Sequence, residues 1–174
     1  VFQKATTPPC AQHGIETRGM NGMEPCTNSS LLQYFCQSTG NSSAARVFCQ
    51  FCPKSWQLFG DRCYRLSKKK GTWIRGKKEC ENQDSQLVVI RNKAEKEHII
   101  EITGGDEQPV WIGLKVSENT WKWVDNSSFN TVLFGFLPIK DKHCGTLTQT
   151  TLEDDSCDGE HEWICQKKPL YAVP

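Results

Sequence analysis

The sequence predicts an α+β domain that is cross-linked by disulfides and preceded by a stalk. Helical patterns occur between residues 72 and 104, and strand patterns dominate the later part of the chain. Ten cysteines occur among 174 residues. Residues 1–50 are poor in apolar side chains and rich in Pro, Ser and Asn, which is typical of stalks. We therefore expect a stalk over 1–50, a domain over 51–168 and a C-terminal tail over 169–174.

The cysteine count also predicts the compartment. Cytosolic thiols stay reduced, so an even count of ten indicates disulfides in an oxidising compartment, or metal binding. Only Cys49 and Cys52 have the close spacing of metal ligands, and no second close pair exists to complete a zinc site. Glycosylation sequons occur at Asn28, Asn41 and Asn126. The sequence therefore predicts an extracellular glycoprotein.

Charge and hydropathy exclude other classes of protein. The net charge is +1, which gives no long-range field for nucleic acid or an anionic membrane. No stretch approaches the roughly 18 apolar residues that cross a bilayer. We expect the chain to be the outer portion of a larger protein or a processed product.

The first elements of the domain are a strand and a helix. Residues 62–66 alternate polar and apolar side chains, which indicates a strand. Thr72 is a predicted N-cap for a helix that continues to about Asn82. Trp73 and Cys80 are seven residues apart, so both lie on one face of that helix and point inward.

A second strand and helix follow. Residues 87–90 form a compact apolar run that predicts a strand. Asn92 is followed three residues later by Glu95, the pattern of a capping box, and it opens a helix through Ile102. Gly104 and Gly105 end this helix.

The remainder is predicted to be strands and loops. Residues 110–114 read as a buried strand, and residues 121–124 alternate so that Trp121 and Trp123 share one face and pack in the core. A long irregular stretch follows over 125–142, and a loop of this length is usually functional or mobile. Residues 144–147 and 162–165 are the predicted closing strands.

The motifs of the domain, taken in order, resemble a C-type lectin-like domain. They are Cys52-Pro53 with Trp56, Cys63-Tyr64, Cys80, Trp111-Ile112-Gly113-Leu114, Trp121 with Trp123 and Asp125, Cys144, Cys157, and Trp163-Ile164-Cys165. The resemblance covers the chain from about Cys52 to Lys168. It implies the C-type lectin-like fold, with two helices, antiparallel sheets and long loops.

The resemblance also implies three disulfides, which spacing alone leaves open because six cysteines allow fifteen connectivities. They are Cys52–Cys63, Cys80–Cys165 and Cys144–Cys157. The implied bridge between Cys80 and Cys165 closes a long loop, which stabilises the fold by roughly 4 kcal/mol in the chain-entropy model.

Calcium-dependent sugar binding in this family uses Glu-Pro-Asn or Gln-Pro-Asp ahead of the position of Cys144, and Trp-Asn-Asp just before the position of Cys157. Here the first motif is Leu-Pro-Ile at 137–139, and the second is Leu-Glu-Asp at 152–154. Calcium takes six or more oxygen ligands, and these two segments cannot supply them. We expect no metal site, and we expect Glu153, Asp154 and Asp155 to form a solvated acidic turn.

Within the family, the chain resembles killer-cell lectin-like receptors of natural killer cells. The resemblance implies a cell-surface immune receptor of type II membrane topology, anchored by a signal-anchor segment that lies outside this chain. It implies a homodimer that binds a protein on another cell, itself lectin-like or MHC-like, without calcium and without a cofactor. The alternative is a calcium-dependent carbohydrate-binding lectin.

The predicted ligand surface is the face that carries the long loop. Apolar residues crowd 129–139, and we expect about half of them to fill the space beneath the loop. The rest, with neighbouring charges, give the mixture typical of binding hot spots. The predicted ligand-binding residues are Phe129, Phe134, Phe136, Lys140, Asp141, Lys142, His143, Thr148, Gln149, Thr151, Glu153 and Asp154.

The stalk contains Cys10, Cys26, Cys36 and Cys49. One arrangement pairs Cys36 with Cys49 and leaves Cys10 and Cys26 to link two chains, whereas the other pairs all four within one chain.

Catalysis is not expected. Glu160, His161 and Glu162 are successive, so on a strand they cannot all converge on one face, and His143 has no evident partner in the sequence. The sequence contains no serine elbow, phosphate loop or His-Glu-x-x-His motif.

Overall fold

The computed structural model describes residues 36–39, 46–104 and 108–172. Helices and strands both occur among these residues, as the predicted α+β class requires. The helices are α1 (Trp73–Glu81), α2 (Lys93–Ile102) and α3 (Thr131–Phe134). The strands are β1 (Cys36–Thr39), β2 (Arg46–Phe51), β3 (Gln57–Phe59), β4 (Arg62–Leu66), β5 (Gln86–Leu87), β6 (Val110–Ser117), β7 (Thr120–Trp123), β8 (His143–Leu147), β9 (Leu152–Ser156), β10 (Glu162–Lys167) and β11 (Leu170–Ala172).

The strands form two sheets. The larger sheet has the order β3-β4-β10-β6-β8-β9, with β5 paired to β10 and β7 paired to β6. Strand β10 lies antiparallel to β4 and parallel to β6, so the end of the chain runs through the centre of this sheet. The smaller sheet has the order β1-β2-β11. Strand β2 therefore pairs with residues close to the C-terminus.

Both long helices begin after the N-cap residues that the sequence predicts. The Thr72 side chain accepts a hydrogen bond from the backbone N–H of Arg75, and the Asn92 side chain accepts one from Glu95. Gly104 follows α2 with a φ of +70°, a left-handed conformation that glycine adopts without strain. No helix in the described ranges is long and apolar enough to span a membrane.

The core lies between the helices and the larger sheet. Trp73 on α1 donates its indole N–H to the Ile112 carbonyl at 2.8 Å, and Trp111 donates to the Gly71 carbonyl at 2.8 Å. Cys80 is fully buried beside these rings, which confirms the inward face predicted for α1. Trp121 and Trp123 are both buried, as the alternation of residues 121–124 predicts.

The three disulfides implied by the family resemblance are present. Cys52 is joined to Cys63, Cys80 to Cys165 and Cys144 to Cys157. The Cys80–Cys165 bridge fastens α1 to β10, the central strand near the chain terminus.

Several sequence predictions differ from the structure. The strand expected at 87–90 is recorded only over Gln86–Leu87, because the Val88 N–H bonds to the Ile164 carbonyl while its own carbonyl accepts from Gly113, so the chain passes between two strands. The long stretch 125–142 contains the short helix α3. The expected acidic turn at 153–155 is wrong, because these residues lie in β9 and pair with β8.

The smaller sheet lies partly in the segment that we expect to be a stalk. Strands β1 and β2 place Cys36 opposite Cys49, and Cys49 is disulfide-bonded. Cys10, Cys26 and the sequons at Asn28 and Asn41 lie outside the described residues. The boundaries of the stalk, domain and tail remain predictions.

Candidate functional site

The long loop after β7 is held in place by two buried tryptophans. The Trp121 indole N–H donates to the carbonyls of Leu137 and Pro138 at 3.2 and 3.3 Å. The Trp123 ring packs against Phe134, with centroids 5.8 Å apart. Because Trp121 and Trp123 are both buried, they hold this part of the loop against the core.

Phe129 and Phe134 pack between the loop and the core. Their rings stack with centroids 5.5 Å apart, and both rings contact Trp123. Both are partly buried against the core. They therefore support the surface from below, as we expect for about half of the apolar residues in this stretch.

The exposed apolar residues of the loop are Val132, Phe136 and Ile139. Val132 is 96% exposed and Phe136 is 87% exposed. The Asn130 side chain caps α3 by accepting from the N–H groups of Val132 and Leu133, and this turn directs Val132 outward. Val132 and Ile139 are absent from the residues predicted for ligand binding, and the Asn130 cap is the sequence signal that would have identified the turn.

Lys140, His143 and Asp154 form a charged cluster at the end of the loop. The Asp154 carboxylate lies 3.0 Å from the Lys140 ammonium and 2.6 Å from Nδ1 of His143. The Asp154 side chain is only 8% exposed. Lys140 and His143 both contact this nearly buried carboxylate, and these contacts fix the end of the loop to β9.

In the family resemblance, Asp154 of this cluster corresponds to the aspartate of the second calcium motif. Asp154 is the one carboxylate retained from the family's second calcium motif, and its oxygen is already bound by Lys140 and His143. Leu152 replaces the tryptophan of the motif and is buried in the core. Within the described ranges, no three His, Cys, Asp or Glu side chains are arranged to hold a metal ion.

A second histidine–aspartate pair lies beside the cluster. Nε2 of His161 is 2.7 Å from the Asp155 carboxylate, and the His161 ring packs edge-on against Trp111. The hydrogen bond from His161 is the main cause that holds the pKa of Asp155 below its usual value. Asp155 and His161 thus join β9 to the start of β10.

The remaining predicted residues lie at the other end of β8 and β9. Thr148, Thr151 and Glu153 are linked by side-chain hydrogen bonds, and Gln149 lies in the same turn. His143 pairs with Ser156 at the loop end, whereas Leu147 pairs with Leu152 at the turn end. Four strand residues separate these ends by about 14 Å, at about 3.4 Å each. The turn residues therefore lie close to one another, but they are separated from the residues at the loop end.

A cleft of about 270 Å³ lies at the side of the loop. Its lining includes Trp121, Asn126, Phe129, Phe136 and Ile139. Asp141 and Lys142 are exposed on the adjoining surface. The site thus combines an apolar cleft, an exposed valine and exposed charges, and such a mixed surface is suited to binding.

Residues 69–167 match the family model described as "Lectin C-type domain". This match covers more than half of the chain, and it agrees with the disulfides, sheets and helices described above. The chain therefore belongs to the C-type lectin domain family.

Sequence relatives place the chain in the killer-cell receptor branch, which confirms the resemblance noted from the motifs. It is 32% identical over 120 residues to killer cell lectin-like receptor subfamily B member 1B allele B of Rattus norvegicus, covering 67% of this chain and 54% of that protein. It is 34% identical over 124 residues to subfamily B member 1F of Mus musculus, covering 70% and 57%. The chain thus spans little more than half the length of these relatives.

A solved structure shows the same fold. The carbohydrate-recognition domain of the mouse scavenger receptor C-type lectin superimposes with a TM-score of 0.59 at 30% identity. The match covers 71% of this chain and 100% of that domain.

Proposed function

We propose that the chain is the extracellular part of a cell-surface immune receptor that binds a protein ligand through its long-loop face without calcium. The relatives in the killer-cell branch support the receptor assignment. The single observation that carries the mode of binding is the Lys140–Asp154–His143 cluster. It places a protein cation against the carboxylate that calcium would need.

The energetics of this cluster favour calcium independence. A calcium ion at this position would have to break two short contacts to Asp154, and it would place a divalent cation beside the Lys140 ammonium. It would also have to find five or more further oxygens. The family's usual route to sugar is therefore disfavoured here.

The proposed contact surface consists of Val132 and the exposed charges Asp141 and Lys142. An exposed apolar side chain on the same loop as exposed charges of both signs provides the two components of a binding surface, a hydrophobic centre and a polar rim. Such surfaces bind proteins through few residues, with the rim excluding water from the centre. The Thr148–Glu153 turn lies too far away to share the centre of this contact.

The partners and topology belong to the same proposal. The branch resemblance supports a type II membrane protein with a surface protein on another cell as its ligand. The opposed register of Cys36 and Cys49 supports a bridge between them, which leaves Cys10 and Cys26 to link a homodimer. A binding role, rather than an enzymatic one, agrees with the family likeness.

The test is multimer staining of a panel of cells by the chain. We expect staining to persist in EDTA and after enzymatic removal of cell-surface glycans, but to disappear after the cells are treated with trypsin. The double variant Asp141→Lys/Lys142→Glu should lower staining at least tenfold, because it reverses both rim charges. Lys69→Glu, at an exposed lysine outside the loop, is the matched control.

Two outcomes contradict the proposal. Staining that requires calcium and is lost with the glycans would identify the alternative, a calcium-dependent lectin. Equal losses in the loop variant and the Lys69 control would place the ligand surface elsewhere.

A further inference from the structure

The side cleft of the loop presents apolar surface that nothing in the described chain covers. Phe136 is 87% exposed and Ile139 is 48% exposed, and both line the cleft with Trp121 and Leu137. Its rim is polar and includes Thr120 and Ser128. Neighbouring exposed apolar side chains with a polar rim are typical of surfaces that bind another group.

Asn126 lies in the lining of this cleft and is the asparagine of the sequon Asn126-Ser127-Ser128. It occupies a tight turn with a φ of +65°, and its backbone N–H donates to the Trp123 carbonyl at 2.9 Å. The Asp125 carboxylate fixes the turn by accepting from the N–H and hydroxyl of Ser127 at 3.0 and 2.5 Å.

The Asn126 side chain is available for modification. It is exposed, and its amide has no hydrogen-bond partner among the described residues. The fixed turn and the position of Asn126 in the lining mean that a group attached here begins its path at the cleft.

We propose that Asn126 carries an N-linked glycan whose first sugar residues lie in the cleft and cover Phe136 and Ile139. Attachment forms a bond from the amide Nδ2 to C1 of the first N-acetylglucosamine, and Nδ2 loses a proton. The C1–oxygen bond of a lipid-diphosphate oligosaccharide donor breaks, and the lipid diphosphate leaves with the electron pair.

The chemistry of a sugar fits both parts of the cleft. The C–H face of a pyranose ring packs on an aromatic ring such as Phe136, while its hydroxyl and acetamido groups reach the polar rim and water. The cleft volume of about 270 Å³ admits sugar rings but not a helix of a partner protein. It lies just below the range of small-ligand pockets, which begins at about 300 Å³.

Covalent attachment favours the glycan over a separate protein as occupant. A tethered group has an effective concentration in the millimolar range near its anchor, which a dilute partner cannot match. The inference assigns Phe136, predicted from the sequence as a ligand-binding residue, to the glycan. It leaves Val132, Asp141 and Lys142 as the free part of the loop face.

The test uses the full chain secreted from a eukaryotic cell line, with glycan occupancy measured by intact and peptide mass spectrometry. Exposed apolar surface is followed by the fluorescence of the dye ANS. Ser128→Ala removes the sequon while keeping Asn126, and Ser43→Ala removes the sequon of Asn41 as a matched control. We expect full occupancy at Asn126 and a severalfold rise in dye fluorescence for Ser128→Ala but not for Ser43→Ala.

Two further experiments test which part of the glycan covers the cleft and whether Phe136 is the residue that it covers. An endoglycosidase that leaves one N-acetylglucosamine should keep the dye signal low, whereas an amidase that removes the whole glycan should raise it. Adding Phe136→Ser to Ser128→Ala should return the signal to the wild-type level. The enzymatic arms use protein that has already folded, so they hold even where Ser128→Ala is poorly secreted.

The inference is overturned by an unmodified Asn126, or by a dye signal that is unchanged after the whole glycan is removed. It is also overturned when Phe136→Ser leaves the raised signal intact. None of these measurements involves a protein ligand, so their failure is separate from failure of the proposed receptor function.

Discussion

At the scale of single residues, the buried carboxylate of Glu95 shows how tertiary contacts redirect a local signal. In a capping box, this side chain would bond the N–H of the N-cap residue Asn92. Instead, one oxygen accepts from the Tyr64 hydroxyl at 2.5 Å and the other from the Arg91 N–H at 2.7 Å. Burial is the main cause that raises the pKa of Tyr64 far above its usual value, with the hydrogen bond to Glu95 second.

The Glu95 contacts predict a clear effect on stability. Glu95→Gln removes the charge and replaces one of the two acceptor oxygens with an NH2 group, so the Tyr64 hydroxyl or the Arg91 N–H loses its charged acceptor. We expect the free energy of unfolding to fall by about 1–3 kcal/mol. Glu97→Gln, on the same helix but exposed, should change it by less than about 0.5 kcal/mol. Urea unfolding measures both values, and equal values for the two variants would contradict a structural role for Glu95.

His98 predicts a pH dependence of stability. Its ring stacks on Phe59 at 4.2 Å, and burial lowers the pKa of His98, partly opposed by Glu101. Below about pH 6.5 the unfolded chain binds a proton that the folded chain resists, so the free energy of unfolding falls as pH drops through this window.

We expect His98→Phe, which keeps the stacked ring, to weaken this pH dependence. The measurement is urea unfolding at about pH 7.5 and about pH 5.5 for both proteins. The loss of stability on acidification should be smaller in the variant. A variant that loses as much stability as the wild type would show that His98 is not the responsible group.

At the scale of elements, hydrogen bonds between separate segments restrict which side chain fits at a strand position, and the sequence of that strand does not show this restriction. Gly113 in β6 donates its N–H to the Val88 carbonyl and accepts from the Val124 N–H, each at 2.8 Å. A Cβ atom at this position would lie 2.8 Å from the Leu87 carbonyl oxygen and 2.9 Å from that of Val88. The glycine of the Trp-Ile-Gly-Leu motif therefore allows two backbones to approach closely.

We predict that Gly113→Ala lowers the free energy of unfolding by about 1–3 kcal/mol, because backbone atoms must move to admit the methyl group. Ser117→Ala at the end of the same strand is the control, with an expected change within about 0.5 kcal/mol. Thermal or urea unfolding distinguishes them. A Gly113→Ala protein as stable as the control would show that β6 can shift without cost.

At the scale of the whole molecule, the bridge from α1 to β10 closes a loop that contains most of the predicted domain. Cys80 and Cys165 are 85 residues apart in sequence, whereas Cys52 and Cys63 are 11 apart. The chain-entropy model gives about 4.5 kcal/mol for the longer loop and about 3 kcal/mol for the shorter one. The longer bridge also lies in the core with Trp73, Trp111 and Trp163.

We therefore predict that Cys80→Ala/Cys165→Ala destabilises the domain more than Cys52→Ala/Cys63→Ala, by at least about 1.5 kcal/mol. Loss of buried sulfur contacts adds to the entropic difference. Urea unfolding of both variants in an oxidising buffer measures it. Equal losses, or a larger loss from the short bridge, would contradict a dominant role for the long closure.

The sequence by itself determined the elements that depend on near neighbours. Thr72 and Asn92 cap their helices through residues three positions away, and the alternation of Trp121 and Trp123 follows from the strand period. The family motifs added the disulfide pairs, which spacing alone leaves open. The sequence therefore predicted a feature correctly where that feature depends on residues within one element or on the family's series of motifs.

Only the tertiary structure decided the features that join distant residues. Lys140 and His143 meet Asp154 through the pairing of β8 with β9, and that pairing turned an expected acidic turn into a strand. Thr148 and Phe136 lie at separate places although both were predicted for one surface. The physical reason is that burial and pairing energies depend on which segments meet, and sequence separation does not fix those encounters.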